Sequence, residues 1–130
     1  MSKITKEIKQ LIENNALALS TISTASGNPS PHCIAVGYAK LISYEGEESI
    51  LITDNFMLET SRNIKKNPNV AIAVWSRNWE KDCKGYEIRG RAEYFMSGPM
   101  LDKVKKMPEN KGMVAKAAIV VRVDKIKKLA

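Results

Sequence analysis

Residues 50–74 constrain the fold of this chain more than any other segment. A β-branched run ends at Thr53-Asp54-Asn55, a short helical pattern follows, and Asn67-Pro68-Asn69 precedes a second apolar run. Proline lacks a backbone donor and disfavours helical geometry in the residue before it, so the helix must end there. The segment therefore predicts a strand, a short helix over residues 57–67 capped by Asn55, and a second strand joined by a short crossover.

The rest of the chain alternates short apolar segments with turn residues. Apolar residues recur at helical spacing over residues 2–15, with Ser2 as the candidate cap, and Gly98-Pro99 begins another helix over residues 100–107. Strands are predicted over residues 16–24, 31–43 (with a bulge at Gly37), 49–53, 70–76, 85–95 and 115–123, with an acidic hairpin turn at 44–48 and a basic tail at 125–130. Six strands and few helices favour a mainly β (α+β) domain over residues 1–130, in which an antiparallel sheet closes into a barrel.

Composition excludes several classes of protein. The chain has 130 residues, of which 44% are hydrophobic and 27% are charged, as in ordinary globular domains. No apolar run approaches the roughly 20 residues of a membrane span, and the N-terminal residues lack the apolar core of a secretory signal. Cys33 and Cys83 stand in no metal-binding spacing. These features predict a cytoplasmic protein with reduced thiols, no membrane span and no metal site.

The net charge of +7 raises the possibility of nucleic-acid binding. The lysines are dispersed, however, and the densest groups lie at residues 103–106 and 125–128. The chain has no zinc-finger spacing, no basic region with heptads and no aromatic RNA-binding signature. A solvated basic surface is therefore favoured, and a non-enzymatic basic binding module stays as an alternative.

His32 is the only histidine, so any Ser–His–Asp or Cys–His arrangement must use it. Cys33 is its neighbour, and adjacent side chains of a strand point to opposite faces, which argues against a dyad. A residue at the mouth of a barrel, or a partly exposed histidine on a strand, is the simpler interpretation. The glycine-rich fingerprints of nucleotide-binding proteins are absent from the sequence.

The carboxylates do not form a catalytic pattern. The three glutamates of residues 45–48 lie in a predicted hairpin turn and are expected in solvent. Glu87 and Glu93 lie in a predicted strand, where we expect them to pair with Arg89 and Arg91. No pair resembles the two carboxylates of a glycosidase.

The segment after the third predicted strand is suited to an anion. Thr53 and Asp54 end that strand, and Thr60, Ser61 and Arg62 follow in the helix. Backbone N–H groups at a helix start lack partners, and hydroxyls with a guanidinium suit a terminal phosphate. A capped amphipathic helix, with one buried stripe and its basic side chains in water, explains the same residues without a ligand.

The order and spacing of these motifs resemble the FMN-binding split β-barrel superfamily, the pyridoxamine 5′-phosphate oxidase-like proteins. The chain is most similar to the small FMN-binding proteins of anaerobic bacteria and archaea. The stretches SGNPSPH, ITDNFMLETSRNIKKNPNVAIAVW and GYEIRGRAEYF carry the resemblance. It implies a six-stranded antiparallel split β-barrel with an N-terminal helix and two short helices. It also implies a homodimer with FMN in the subunit groove, acting as an oxidoreductase or electron carrier with an unidentified redox partner.

The resemblance also implies a cofactor site, position by position. The flavin ring and ribityl chain would run along the second strand, bound mainly by backbone groups, and the third strand's end would face the ribityl chain and phosphate. The residues so assigned are His32, Cys33, Ile34, Ala35, Thr53, Asp54, Asn55, Met57, Thr60, Ser61 and Arg62.

Glu59 departs from the pattern of the relatives, which usually carry a lysine before the helix threonine. A carboxylate close to a phosphate dianion is unfavourable. Arg62, Lys65 or a basic residue of a partner subunit would have to compensate. The alternative is the same fold with another ligand, a deazaflavin or haem.

Overall fold

The computed structural model describes residues 3–25, 27–55, 57–78, 80–110, 112 and 114–129. The helices are α1 (Lys6–Asn14), α2 (Glu59–Lys66) and α3 (Pro99–Lys105), with a 3₁₀ turn at Pro108–Asn110. The strands are β1 (Leu17–Ser23), β2 (Ser30–Val36), β3 (Ala39–Tyr44), β4 (Glu47–Asp54), β5 (Asn69–Trp75), β6 (Gly85–Phe95) and β7 (Ala117–Lys128). They form one antiparallel sheet in the order β2-β1-β5-β6-β7-β4-β3.

The mainly β (α+β) class is confirmed, but the prediction of six strands in a closed barrel is wrong. The segment predicted as one strand over residues 31–43 is two strands, β2 and β3, at opposite edges of the sheet. Only Gly37 and Tyr38 join them. Since consecutive Cα atoms are about 3.8 Å apart, the two edges must approach each other at this corner. The sheet curls but stays open, because β2 and β3 do not pair within the described chain.

The first two helices begin later than the sequence pattern predicted, whereas α3 begins at Pro99, one residue earlier than predicted. Thr5 is the cap of α1 and accepts a hydrogen bond from a backbone N–H of the first turn, whereas the predicted cap, Ser2, lies outside the described residues. The residue before α2, Leu58, makes no side-chain cap. The assignment of Asn55 as cap is wrong, because α2 starts at Glu59 and Leu58 occupies the cap position.

The predicted basic tail is part of a strand. β7 continues to Lys128, which pairs with Tyr86 of β6. The β6–β7 register shifts at Gly90, where a Cβ would lie 2.2 Å from the carbonyl oxygen of Arg122. The predicted interruption of β6 at this glycine therefore reflects a bulge at which two backbones approach closely.

The turn between β3 and β4 consists of Glu45 and Gly46, with φ values of 51° and 78°. Positive φ at both central residues is the geometry of a two-residue hairpin, which confirms the predicted turn. The expectation that its glutamates lie in solvent is confirmed for Glu45 and Glu47, whose side chains are 57% and 56% exposed, whereas Glu48 is half-buried. Glu45 pairs with Arg122, and Glu48 accepts a hydrogen bond from the backbone N–H of Lys3 at 2.8 Å.

Ion pairs on β6 agree with the prediction at one end only. Glu87 pairs with Arg89 at 2.9 Å, as expected. Glu93 pairs with Arg122 of β7 at 2.8 Å, and Arg91 pairs with a different carboxylate of β7. The sequence did not predict these partners on β7, because it did not predict that β7 pairs with β6.

The apolar core consists of two clusters on opposite faces of β4 and β7. Ile50 and Ile52 pack in the larger cluster with α1, while Leu51 between them packs in the smaller cluster with α3. Residues 117–121 of β7 are all buried, as expected of a strand covered on both faces. No described helix is long and apolar enough to cross a membrane.

Candidate functional site

A cleft of about 510 Å³ opens where β2, the β2–β3 corner, the end of β4 and the start of α2 meet. Sites for small molecules have volumes of about 300–1,000 Å³. The lining residues are His32, Ile34, Ala35, Val36, Gly37, Tyr38, Thr53, Asn55, Met57, Leu58, Glu59 and Thr60. Two segments that are separate in the sequence therefore form one concave surface.

The pairing of β1 with β2 determines which side chains of β2 face the core side of the sheet. His32 lies opposite the buried Thr21, and Ile34 lies opposite the buried Leu19, so both point to that face. Cys33 lies opposite Ser20 on the other face and is exposed. The predicted separation of His32 from Cys33 is confirmed. No group of three His, Cys, Asp or Glu side chains among the described residues could hold a metal ion.

The backbone of β2 is also free to bind a ligand. β2 pairs with β1 on one side and is an edge of the sheet on the other. In an antiparallel edge strand, alternate N–H and C=O groups point away from the sheet and have no partner within it. A planar ligand with donors and acceptors on its rim could pair with these groups.

A buried carboxylate supports the wall of the cleft that leads into α2. Asp54 has no exposed surface, and its Oδ1 accepts a hydrogen bond from the Met57 N–H at 2.7 Å. Its Oδ2 accepts from the Tyr94 hydroxyl and lies 3.4 Å from Lys116 Nζ, which donates to the Met57 carbonyl at 2.9 Å. Burial, and then the hydrogen bond to Asp54, raise the pKa of Tyr94. Asp54 thus holds the cleft wall in place from behind.

One buried polar atom beside the cleft, Asn55 Oδ1, has no hydrogen-bond partner among the described residues. Thr60, which also lines the cleft, is 1% exposed. An unsatisfied buried polar group costs about 1–3 kcal/mol. Only a hydrogen-bond donor relieves that cost, because the unpaired atom is an amide oxygen and therefore an acceptor.

A contact between two side chains crosses from β2 to the start of α2. His32 Nδ1 lies 2.6 Å from Glu59 Oε2, and the two side chains are 25% and 59% exposed. The Glu59 carboxylate is thus in contact with the only histidine of the chain. A phosphate placed directly on this pair would meet a negative charge.

The structure brings seven of the eleven predicted site residues to the cleft: His32, Ile34, Ala35, Thr53, Asn55, Met57 and Thr60. Cys33 points away, and Asp54 is buried behind the wall. Ser61 is buried and donates to the Leu58 carbonyl at 2.9 Å, and Arg62 lines a neighbouring pocket.

Sequence reasoning missed four lining residues: Val36, Gly37, Tyr38 and Leu58. A glycine beside an aromatic residue inside a predicted strand was the available signal at the β2–β3 corner. That glycine was interpreted as a bulge within one strand, which concealed the corner.

Proteins of known family and known structure share the sequence pattern and the fold of this chain. A model of the pyridoxamine 5′-phosphate oxidase family matches residues 4–130. An uncharacterized protein of Methanocaldococcus jannaschii is 30% identical over 128 residues, which are 95% of this chain and 79% of that protein. HupZ of Group A Streptococcus superposes with a TM-score of 0.80 and 26% identity, over 97% of this chain and 94% of that one. An FMN-binding protein of Syntrophomonas wolfei shares the fold, with a TM-score of 0.73 and 16% identity over 94% and 83% of the two chains.

Proposed function

Because this chain belongs to the pyridoxamine 5′-phosphate oxidase family, we propose that its cleft binds FMN and that the protein is a flavin-dependent oxidoreductase or electron carrier. The observation that carries the proposal is the meeting of β2 and the α2 segment around one cleft of about 510 Å³. Positions assigned to the cofactor from both segments line it. A bound flavin supplies electron and hydride transfer, and the chain supplies binding, orientation and exclusion of water.

The lining suggests which part of the cofactor each element holds. The free backbone edge of β2 suits the polar rim of the flavin ring, with Ile34 and Met57 as apolar contacts. Asn55 lines the cleft at the end of β4, beside the position proposed for the ribityl chain. Backbone hydrogen bonds and burial would then set the reduction potential, because no cleft side chain stands out as a general acid or base.

We also propose that the protein is a homodimer with the cofactor in the groove between subunits. On the outer face of β1, β2 and β5, Ala18 lies opposite both Ala35 and Ala73. These three small side chains are half-exposed or exposed. Trp75 on the same face of β5 is 41% exposed. A second copy of the chain would cover this apolar face. Native mass measured with and without FMN tests the proposal, and a monomer in both conditions contradicts it.

Cofactor binding is tested by the absorbance spectrum of the purified protein and by thermal melts with added FMN. A ligand at 100 times its Kd stabilises the folded state by about 2.7 kcal/mol, so the melting temperature should rise by several degrees. Asn55→Ala should reduce that rise, whereas Asn14→Ala, at the exposed end of α1, should not. Absence of both a flavin band and an FMN-dependent shift contradicts the proposal.

A second candidate is a deazaflavin or haem bound in the same cleft. The observation that favours it is the Glu59 carboxylate, paired with His32, at the corner where a phosphate-binding cation is expected. Competitive titration against FMN separates the candidates, and tighter binding of FMN than of either rival rules this alternative out.

A further inference from the structure

A smaller pocket of about 100 Å³ adjoins the cleft, and Glu59 lines both. One wall is the end of β1 and the turn after it, with Ser23 and Thr24, and the other is α2, with Arg62 and Lys66. Its volume is about three times the ~30 Å³ share of a water molecule in the liquid. The pocket is therefore large enough for a small tetrahedral oxyanion.

The two cations of this pocket are available to a ligand. Arg62 and Lys66 lie one turn apart on α2, are exposed, and make no ion pair with a described residue. Glu59 precedes Arg62 by three residues, a spacing at which helix side chains can pair. Its carboxylate contacts His32 instead. Lys65 does not line the pocket, because its Nζ lies 4.8 Å from the centre of the Tyr94 ring.

The walls of the pocket are held together by a buried hydrogen bond. Asn63, which also lines the pocket, donates from Nδ2 to Thr21 Oγ1 at 3.0 Å. Both side chains are buried, so this bond fixes α2 against β1. Because α2 and β1 are already held together, the pocket loses little conformational entropy when a ligand binds.

We propose that this basic pocket, formed by Ser23, Thr24, Arg62 and Lys66, binds the phosphate of the cofactor whose ring occupies the cleft. The inference rests on the proposed FMN function. The guanidinium and ammonium groups pair with phosphate oxygens, and the hydroxyls of β1 and its turn donate to them. The ligand extends from the cleft past Glu59, which lines both sites, and its phosphate is bound in the basic pocket. Arg62 and Lys66 thus supply the positive charge for the phosphate that the lysine before the helix threonine supplies in the relatives.

The test compares FMN with riboflavin, which differs from it only by the phosphate. Fluorescence titrations of the full chain measure both affinities for the wild type and for Arg62→Gln, Lys66→Gln and the double variant. Loss of one charge-assisted hydrogen bond lowers affinity by about tenfold or more. Each single variant should therefore weaken FMN about tenfold and leave riboflavin unchanged. Lys65→Gln is the matched control, since it removes the same charge from the same helix.

A further titration distinguishes the cofactor's phosphate from a free anion. Excess inorganic phosphate should compete with FMN and leave riboflavin binding unchanged. Equal affinity of the wild type for FMN and riboflavin, or an FMN preference that survives in the double variant, overturns this inference and leaves flavin binding intact. Failure of the wild type to bind either flavin overturns the proposed function and this inference together.

Discussion

Replacing Tyr94 with phenylalanine removes one of the donors that surround the buried Asp54 carboxylate. Asp54 is completely buried, and its other partners are the Met57 N–H at 2.7 Å and Lys116 Nζ at 3.4 Å. A hydrogen bond to a charged group contributes about 1.5–3 kcal/mol, and its loss leaves a buried carboxylate oxygen with one donor fewer. We therefore expect Tyr94→Phe to lower the free energy of unfolding by about 2 kcal/mol at neutral pH.

The same substitution should change how stability depends on alkaline pH. Burial, and then the hydrogen bond to Asp54, raise the pKa of the Tyr94 hydroxyl above its ordinary value of 10.0. A group whose pKa is raised by folding contributes stability that is complete below the unfolded pKa and is lost as the pH rises towards the folded pKa. One such proton changes the free energy of unfolding by at most about 1.4 kcal/mol per pH unit. Above about pH 10 the wild type should lose stability more steeply than Tyr94→Phe.

Urea unfolding at neutral pH and at several values above about pH 10 measures both effects. Tyr38→Phe is the control, because Tyr38 is 38% exposed and its hydroxyl makes no hydrogen bond to a described residue. The control should match the wild type at neutral pH. If Tyr94→Phe lies within about 0.5 kcal/mol of the wild type there, or if the two alkaline profiles run parallel, the reasoning about Asp54 is refuted.

Three further substitutions test other parts of the structure. Glu59→Gln should tighten FMN binding in fluorescence titrations, because it removes a negative charge. The melting temperature should change little, since exposed ion pairs contribute less than about 1 kcal/mol. An unchanged affinity for FMN contradicts this prediction. Gly90→Val places a Cβ 2.2 Å from a backbone oxygen of β7, so soluble yield should collapse, whereas a Cβ at Gly37 meets nothing within 4 Å and Gly37→Ala should express normally. The pKa of Glu7 is lowered by its hydrogen bond to Lys84, so its contribution exists above the ordinary value of 4.5 and is lost in acid. Melts across acid pH should show Glu7→Gln less stable near neutrality and equal to the wild type at the acid end; a constant difference contradicts this.

Local pattern was sufficient to predict most of the strands. β6 has the predicted bounds because its alternation is long and its turns are clear at both ends. The β2–β3 corner was not predictable in the same way, since the apolar pattern continues across Gly37 and Tyr38 while the chain moves from one sheet edge to the other. The extension of β7 was missed for a related reason. Its lysines resemble a solvated tail until β6 is known to pair with them.

The site was predictable as two segments but not as an arrangement of side chains. Alternation along β2 placed His32 and Cys33 on opposite faces, and the structure agrees. The pairing of His32 with Glu59 depends on how closely α2 lies against β2, which no local pattern reports. Asp54 was assigned to the ligand by the family resemblance, as part of the end of the third predicted strand. Its role behind the wall required knowledge of Tyr94, which is distant in sequence.

The position of β7 in the sheet has a consequence for how the protein is made. β7 is the last of the seven strands in chain order, yet it lies between β6 and β4 and pairs with both. Until it leaves the ribosome, the nascent chain consists of a four-stranded piece and the β3–β4 hairpin, each with an unpaired strand edge. Such edges invite pairing with other chains, and joining distant segments slows folding. Biogenesis therefore depends on the arrival of one late strand, and damage to it would be expected to cause aggregation before any effect on cofactor binding could be observed.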